Sequence, residues 1–270
     1  MSTTGLVAVL SLAPGPGVPL DLVEQAHDSV TRELGSSAIQ NAAARLRSVD
    51  ERTGARSRFT TALQRARRLR AEFPEDALEA ARETVAAGDG GFLALTDPEL
   101  VAEALVLQGG LELDAGRGAG AREAFAKALD TQPGYHADPA RIGPAARQAL
   151  QELPRPACAR LDQPAVRRAA EALGAQRVVV LQSCPEGGRV RIHATEIGAG
   201  TSPTNRTVAV ALGARLGSPG ARTLIGLPPD RDRPWYRRPW VWVAAGAVAA
   251  AAVAIPLATA EETGDVRVHW

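Results

Sequence analysis

AEALVLQGGLELDAGRGAGAREAFAKALDTQP, residues 102–133, carries two apolar helical patterns around a short Gly-rich turn. On the first, Leu105, Gly109 and Leu113 recur four residues apart. On the second, Ala121, Ala124, Phe125, Ala128 and Leu129 mark one face. Ala115-Gly116-Arg117-Gly118 is too short and too glycine-rich to continue either helix, so the pattern predicts a tight helical hairpin. Small residues fall where the two helices would cross closely, and Phe125 fills the space beside them. Pro133 lacks the N–H that another helical turn needs, and ends the second helix.

Working outward, residues 36–153 are mostly helical. Ile39, Ala42, Ala43, Leu46 and Val49 give one stripe, and Phe59, Ala62, Leu63, Ala66, Leu69 and Phe73 another. Thr53-Gly54 breaks the run between them. Pro74 opens a further helix with inner face Ala77, Leu78, Ala81 and Val85. Asp97, ahead of Pro98, is a candidate N-cap for the helix at 98. A last short helix covers 145–153. The hairpin of residues 102–133 resembles a tetratricopeptide repeat, with the family's residue types at Leu105, Gly109, Gly116, Ala121, Phe125, Ala128 and Pro133. It departs from the family at Gln108, Glu112 and Gly118. The resemblance covers one 32-residue unit. It implies a scaffold for protein–protein contacts, in which neighbouring helices at 59–72 and 75–87 supply the stacking partner that a repeat requires. Gln108 and Glu112 are polar where the family packs larger apolar groups, and are the candidate binding residues. The whole segment looks like the repeat regions of envelope proteins from myxobacteria.

On either side lie strand patterns. Residues 5–12, GLVAVLSL, form a charge-free β-type run, and Leu20, Val23, Ala26, Val30 and Leu34 follow at helical spacing. Met1-Ser-Thr-Thr has no basic residue, so the run reads as a core strand and not as a secretion signal. Beyond a Pro-rich joint at 154–164 come a helix at 165–173, a strand at 177–183, a turn at 185–188, a second strand at 189–197 and a third at 207–212. This order is similar to the α/β domains of envelope lipoproteins of the TolB-amino-terminal, FlgO and CsgG type. The resemblance implies that residues 1–35 pack with 154–226 and that the helices are inserted between them.

Residues 227–239 form a Pro- and Arg-rich linker, and 240–260 contain no charge. Twenty-one residues at about 1.5 Å each suffice to span a hydrocarbon layer of about 30 Å. Trp235, Tyr236, Trp240 and Trp242, with Arg237 and Arg238, crowd one end as an interfacial belt. A single-pass transmembrane helix is the preferred reading, although ten of the 21 residues are alanine, which also suits a buried helix. Arg231, Arg233, Arg237 and Arg238 precede the span and Arg267 follows it. That asymmetry places the large domain in the cytoplasm, with residues 261–270 as a short tail outside. The envelope resemblance points instead to export.

The net charge is +1 and the chain is 45% hydrophobic but 4% aromatic. That balance predicts no nucleic-acid binding. Nine arginines lie from Arg45 to Arg70 with no aromatic among them except Phe59, which sits on the apolar stripe, and this reads as a solvated helix face. Cys158 and Cys184 form no CxxC and have no histidine at ligand spacing. Separate buried thiols are the leading reading, and a disulfide would require an oxidising compartment. His27, His136, His193 and His269 are scattered. The glycines at 116–120 follow a helix, where a dinucleotide fingerprint must follow a strand. No catalytic residue, metal ligand or cofactor is expected. The fold expectation is α+β, mainly α. The functional expectation is a bacterial, membrane-anchored scaffold for an unknown protein partner, with residues 240–260 in the bilayer. The competing readings are an enzyme whose site is assembled from distant residues, and a soluble scaffold with 240–260 packed internally.

Overall fold

Val7–Ser11 (β1) is buried on both sides, with Val7, Ala8, Val9 and Leu10 almost wholly removed from solvent. A continuous apolar run suits a central parallel strand better than a half-exposed one. The computed structural model describes residues 5–198 and 201–227. After β1, the helix α1 (Leu20–Leu34) ends at Gly35, whose φ of 56° turns the chain back toward the sheet. A 3₁₀ turn leads into β2 (Ala38–Ile39), parallel to β1 with Val7 opposite Ala38 and Ala8 opposite Ile39. The helical stripe read through Ile39 is therefore corrected at its start: Ala38 and Ile39 are strand. Two residues are too few for a strand period to show. Next come α2 (Ala42–Arg52) and α3 (Ala55–Leu69), separated at Gly54 in a left-handed conformation.

The helical insertion continues with α4 (Pro74–Asp89), the single-turn α5 (Leu93–Thr96), α6 (Pro98–Asp114), α7 (Gly118–Thr131) and α8 (Pro144–Glu152). Its core has two lobes that meet at α6. Phe59, Leu63, Leu78, Leu93 and Leu111 pack in one, and Leu105, Phe125, Leu129, Ile142 and Leu150 in the other. Gly109 allows the α6–α7 crossing: a Cβ there would lie 2.5 Å from the Phe125 ring. Asp97 immediately precedes α6, but its side chain caps nothing and pairs with Arg56 Nη2 at 2.7 Å.

The chain returns through α9 (Gln163–Leu173) to β3 (Arg177–Glu186), β4 (Arg189–Gly198), β5 (Thr204–Ala211) and α10 (Ser218–Leu224). The sheet order is β2-β1-β3-β4-β5. β1 and β3 are parallel, from Val7 opposite Arg177 to Ser11 opposite Leu181. β3, β4 and β5 are antiparallel neighbours. Pro185 and Glu186 are not turn residues as the sequence reading had them, because they pair with Val190 and Arg189. Gly187 and Gly188 alone make the turn, both at positive φ, as a two-residue hairpin with strand-compatible twist requires. Alternation along the strands gives two cores. Val9, Leu181 and Ile192 face α1 and α10, whereas Leu10, Val180 and Ile197 face α2 and α9. The architecture is mixed α/β, with helices packed on both faces of a five-stranded sheet, one side of β5 left exposed at Asn205, Thr207, Ala209 and Ala211, and a helical insertion.

Cys158 and Cys184 are joined in a disulfide, with Cα atoms 5.0 Å apart, which corrects the reading of two separate thiols. The strand position of Cys184 and the irregular path of the chain at Cys158 are both set by tertiary structure, so the pairing leaves no mark on local spacing.

Candidate functional site

One concavity among the described residues lies where the insertion meets the sheet unit. It holds about 680 Å³ and opens beside Leu12 and Ala13, just past the carboxyl end of β1. In open α/β sheets, that end of the parallel strands is the usual place for a binding crevice. One wall is helical, from α4, α5, α6 and α7. The other is the extended segment 159–162 with the first residues of α9. Leu95, Val101, Leu105 and Leu161 supply apolar surface, and Asp89, Lys127, Asp130, Arg160 and Asp162 supply charge.

The extended wall is tied on both sides. Arg160 N–H donates to the Asp130 carbonyl at 2.7 Å, which fastens it to α7. Gln182 Nε2 donates to the Ala159 carbonyl at 2.7 Å, which fastens it to β3. The start of α9 offers little to an anion. The Asp162 side chain accepts the Ala165 N–H at 3.3 Å, and Pro164 has no N–H to give. The described residues lining this cleft include no Ser, Cys or His, and the Thr131 hydroxyl donates to the Lys127 carbonyl.

A second groove of about 340 Å³ runs along α6 and shares Val85, Leu105 and Lys127 with the first. Both candidate binding residues line it. Their settings differ. Gln108 is half-buried, whereas Glu112 is buried at 4% exposure. The Glu112 carboxylate accepts from Arg82 Nη2 at 2.7 Å and Arg117 Nε at 2.7 Å. Burial pushes its pKa up, but the hydrogen bonds and charges of Arg82 and Arg117 outweigh this and hold it below the ordinary carboxylate value. Glu112 is thus a clamp between α4, α6 and the α6–α7 turn. Of the repeat positions, Leu105, Gly109, Ala121, Phe125 and Ala128 are buried in the hairpin, Gly116 makes the turn at φ 75°, and Pro133 follows α7.

Seven of the nine arginines of residues 45–70 are exposed, and five of the nine reach acceptors on other elements. Arg47 donates to the Thr96 carbonyl, Arg56 pairs with Asp97, Arg65 with Glu83, Arg67 with Glu103, and Arg70 with Asp114. Arg67 and Arg141 both pair with Glu103, beside Tyr135, whose hydroxyl is pushed up to about 12 by burial and by Glu103 and Glu99.

Two juxtapositions escape local spacing. Ser11 Oγ lies 3.1 Å from His27 Nδ1, joining β1 to α1. Burial lowers the His27 pKa, against the pull of Asp28. Neither residue lines the cleft. The other is Cys158, Cys184 and His193, the one cluster of metal-ligating side chains among the described residues. Residues 240–260, and Trp235, Tyr236, Arg237, Arg238, Trp240 and Trp242, lie outside the described residues. Among those described, no helix is long and apolar enough to cross a membrane. Compared with known proteins, the chain matches no family model, no curated protein and no solved structure.

Proposed function

We propose that this chain is a membrane-anchored interaction scaffold that holds a protein segment in the cleft between its helical insertion and its sheet unit. One observation carries the reading: two adjoining concavities, about 680 and 340 Å³, share Leu105 and Lys127 and mix apolar surface with charges of both signs. Such a lining suits an extended peptide, whose apolar side chains need pockets and whose polar backbone needs partners. Under this proposal the insertion is tetratricopeptide-like, with α3–α4 and α6–α7 as stacked hairpins, and residues 240–260 form the single transmembrane helix. Anchoring would raise the local concentration of the cleft at the bilayer.

The test is a peptide-display selection against the full-length chain in detergent micelles. Selected peptides should bind Gln108→Ala with Lys127→Glu at least tenfold more weakly. A selection without enrichment, or peptides indifferent to both changes, would overturn the cleft as the binding site. Carbonate extraction tests the anchor: release of the chain into the supernatant would remove it.

For orientation, we propose a cytoplasmic domain, from the arginine excess ahead of the span. The Cys158–Cys184 bond favours the exported alternative, since disulfides persist in oxidising compartments. Protease protection in inverted and right-side-out vesicles separates the two.

A further inference from the structure

Cys184 on β3 stands opposite Arg191 on β4, and Gln182 stands opposite His193. Directly opposed residues share a sheet face, so Cys184 and His193 are diagonal neighbours on one surface. Val178 and Val180 on that side of β3 pack in the core with α2 and α9. The segment between α8 and α9 lies over the same surface. It brings Cys158 to Cys184, and it is fixed there by Gln182 Nε2 donating to the Ala159 carbonyl. One ligand atom each from Cys158, Cys184 and His193 lies within 4.8 Å of the others. In a tetrahedral zinc site, sulfur and nitrogen ligands stand about 3.3–3.8 Å apart, so the sulfurs must part from bonding distance while His193 is already close to both.

We propose that Cys158, Cys184 and His193 form a redox-gated site for a thiophilic divalent cation, Zn²⁺ foremost. When oxidised, the two sulfurs are bonded to each other. When reduced, they are two ligands of a Cys₂His site whose fourth position is left to water or an exogenous ligand.

Three features favour this assignment over two cysteines that serve only as a staple. First, His193 is oriented: its Nδ1 lies 2.9 Å from Thr207 Oγ1 on β5. With Nδ1–H donating to that hydroxyl, Nε2 carries the free lone pair. This is the usual way in which a neighbouring group fixes the tautomer of a metal-binding histidine. Second, the charges balance, because two thiolates neutralise a dication. Arg191, the cation opposite Cys184, is paired with Glu186. Third, the ligands have unequal mobility. Cys184 and His193 sit on adjacent strands, whereas Cys158 lies in irregular chain between α8 and α9, where rotation of its own side chain can part the sulfurs while Ala159 stays tied to β3.

The redox step is balanced by a dithiol. The Cys158–Cys184 S–S bond breaks and takes up two electrons and two protons to give two thiols. The dithiol gives up the same electrons and protons and closes its own disulfide. Zn²⁺ then displaces the two thiol protons as two Zn–S bonds form. The site does not depend on the cleft reading. It makes the cysteines useful on the cytoplasmic side of a membrane, where the disulfide would not persist.

The experiment uses the full-length chain in micelles, reduced anaerobically with a phosphine, which becomes phosphine oxide with oxygen from water. Co²⁺ is the probe and Zn²⁺ the competitor. The expected result is one Co²⁺ per reduced chain, with a thiolate-to-cobalt charge-transfer band and the intense d–d bands of four-coordination, all bleached by Zn²⁺. The oxidised chain should show none of this. Cys158→Ser with Cys184→Ser should abolish the charge-transfer band. His193→Ala should weaken Co²⁺ at least tenfold and change the d–d bands, while its oxidised form melts like the parent. Thr207→Val should weaken binding by about tenfold. The proposal is overturned by sub-stoichiometric uptake in the reduced chain, by equal uptake in the oxidised chain, or by a His193→Ala variant with parental affinity and spectrum. A reduced chain that unfolds and is not refolded by Zn²⁺ overturns it as well.

Discussion

The α6–α7 hairpin closes on itself within a few turns of chain: Gly109 meets Phe125 across the short turn at Gly116. The sheet is built the opposite way. Its central contact pairs position 7 with position 177, and the whole insertion intervenes. The hairpin costs little loop-closure entropy and can form from local contacts. The β3–β4–β5 part of the sheet is also local, but the β1–β3 pairing that completes it can form only after a long loop has been closed. Yet the two are not independent, because Leu95 of α5 packs into the core under the sheet and segment 159–162 bridges α7 and β3. A region that folds locally is thus coupled to one that folds globally.

The strongest way to break this coupling is a pair of core truncations. Phe125→Ala removes a fully buried ring from the hairpin and should cost about 3–5 kcal/mol. Leu10→Ala does the same to the sheet, at about 2–5 kcal/mol. In urea, far-UV circular dichroism and a fluorophore placed on β4 should lose signal together in both variants. Two separated transitions in Phe125→Ala would show that the insertion unfolds alone.

Reduction of Cys158–Cys184 comes next. The crosslink closes a loop of 26 residues, and its loss should cost about 3.5 kcal/mol by chain entropy. The effect belongs to the sheet side, because the insertion up to α8 lies outside that loop. Metal-free reduced protein should therefore exchange amide hydrogens faster in β3 and in segment 155–162 than in α6. Equal acceleration everywhere would count against it.

Adjacent glycines sharpen the hairpin half. Gly109→Ala places a methyl 2.5 Å from Phe125 and should cost about 1–3 kcal/mol. At Gly110 the nearest atom to an added methyl is Ala146 Cβ at 3.7 Å, an ordinary contact. Gly110→Ala should then be neutral or stabilise by up to about 1 kcal/mol through helix propensity. Equal thermal melts for the two variants would refute close packing at Gly109.

The same contrast decides what could be read from the chain. The hairpin was legible because its contacts recur at helical spacing, from Leu105 to Leu129. The strands were legible as apolar or alternating runs over 7–11, 177–183 and 189–197, but Pro185 and Glu186, which extend β3, carry a turn composition. β2, with two residues, and α10, with seven, are too short to carry a period. Asp97 has the position of an N-cap, but Arg56 competes for its carboxylate, and only tertiary structure brings that guanidinium near. The candidate site was less legible still. Gln108 and Glu112 were found as polar residues in an apolar pattern, but nothing local says that Arg82 lies beside Glu112. The cleft wall at 159–162 and the cluster of Cys158, Cys184 and His193 join segments that are distant in sequence, so no spacing rule could assemble them.

Both regions nevertheless use one electrostatic device: a shielded carboxylate held by two arginines. In the insertion it is Glu112 with Arg82 and Arg117; in the sheet it is Glu196 with Arg177 and Arg206. Burial raises each carboxylate's pKa, but the paired arginines more than reverse it, so both lie below the ordinary 4.5. A lowered folded pKa means that the unfolded chain binds protons first. The stabilisation is therefore complete above pH 4.5 and is lost as pH falls through the lowered values. Because Arg82 and Arg117 are about half exposed and rehydrate once freed, Glu112→Gln should cost only about 1 kcal/mol at pH 7. That difference from the parent should shrink as pH drops below 4.5. Glu196→Gln should give the same pH dependence from the sheet side. Urea midpoints measured from pH 7 to pH 3 decide it. A Glu112→Gln penalty that stays constant across that range would mean that Glu112 acts through shape and not through charge.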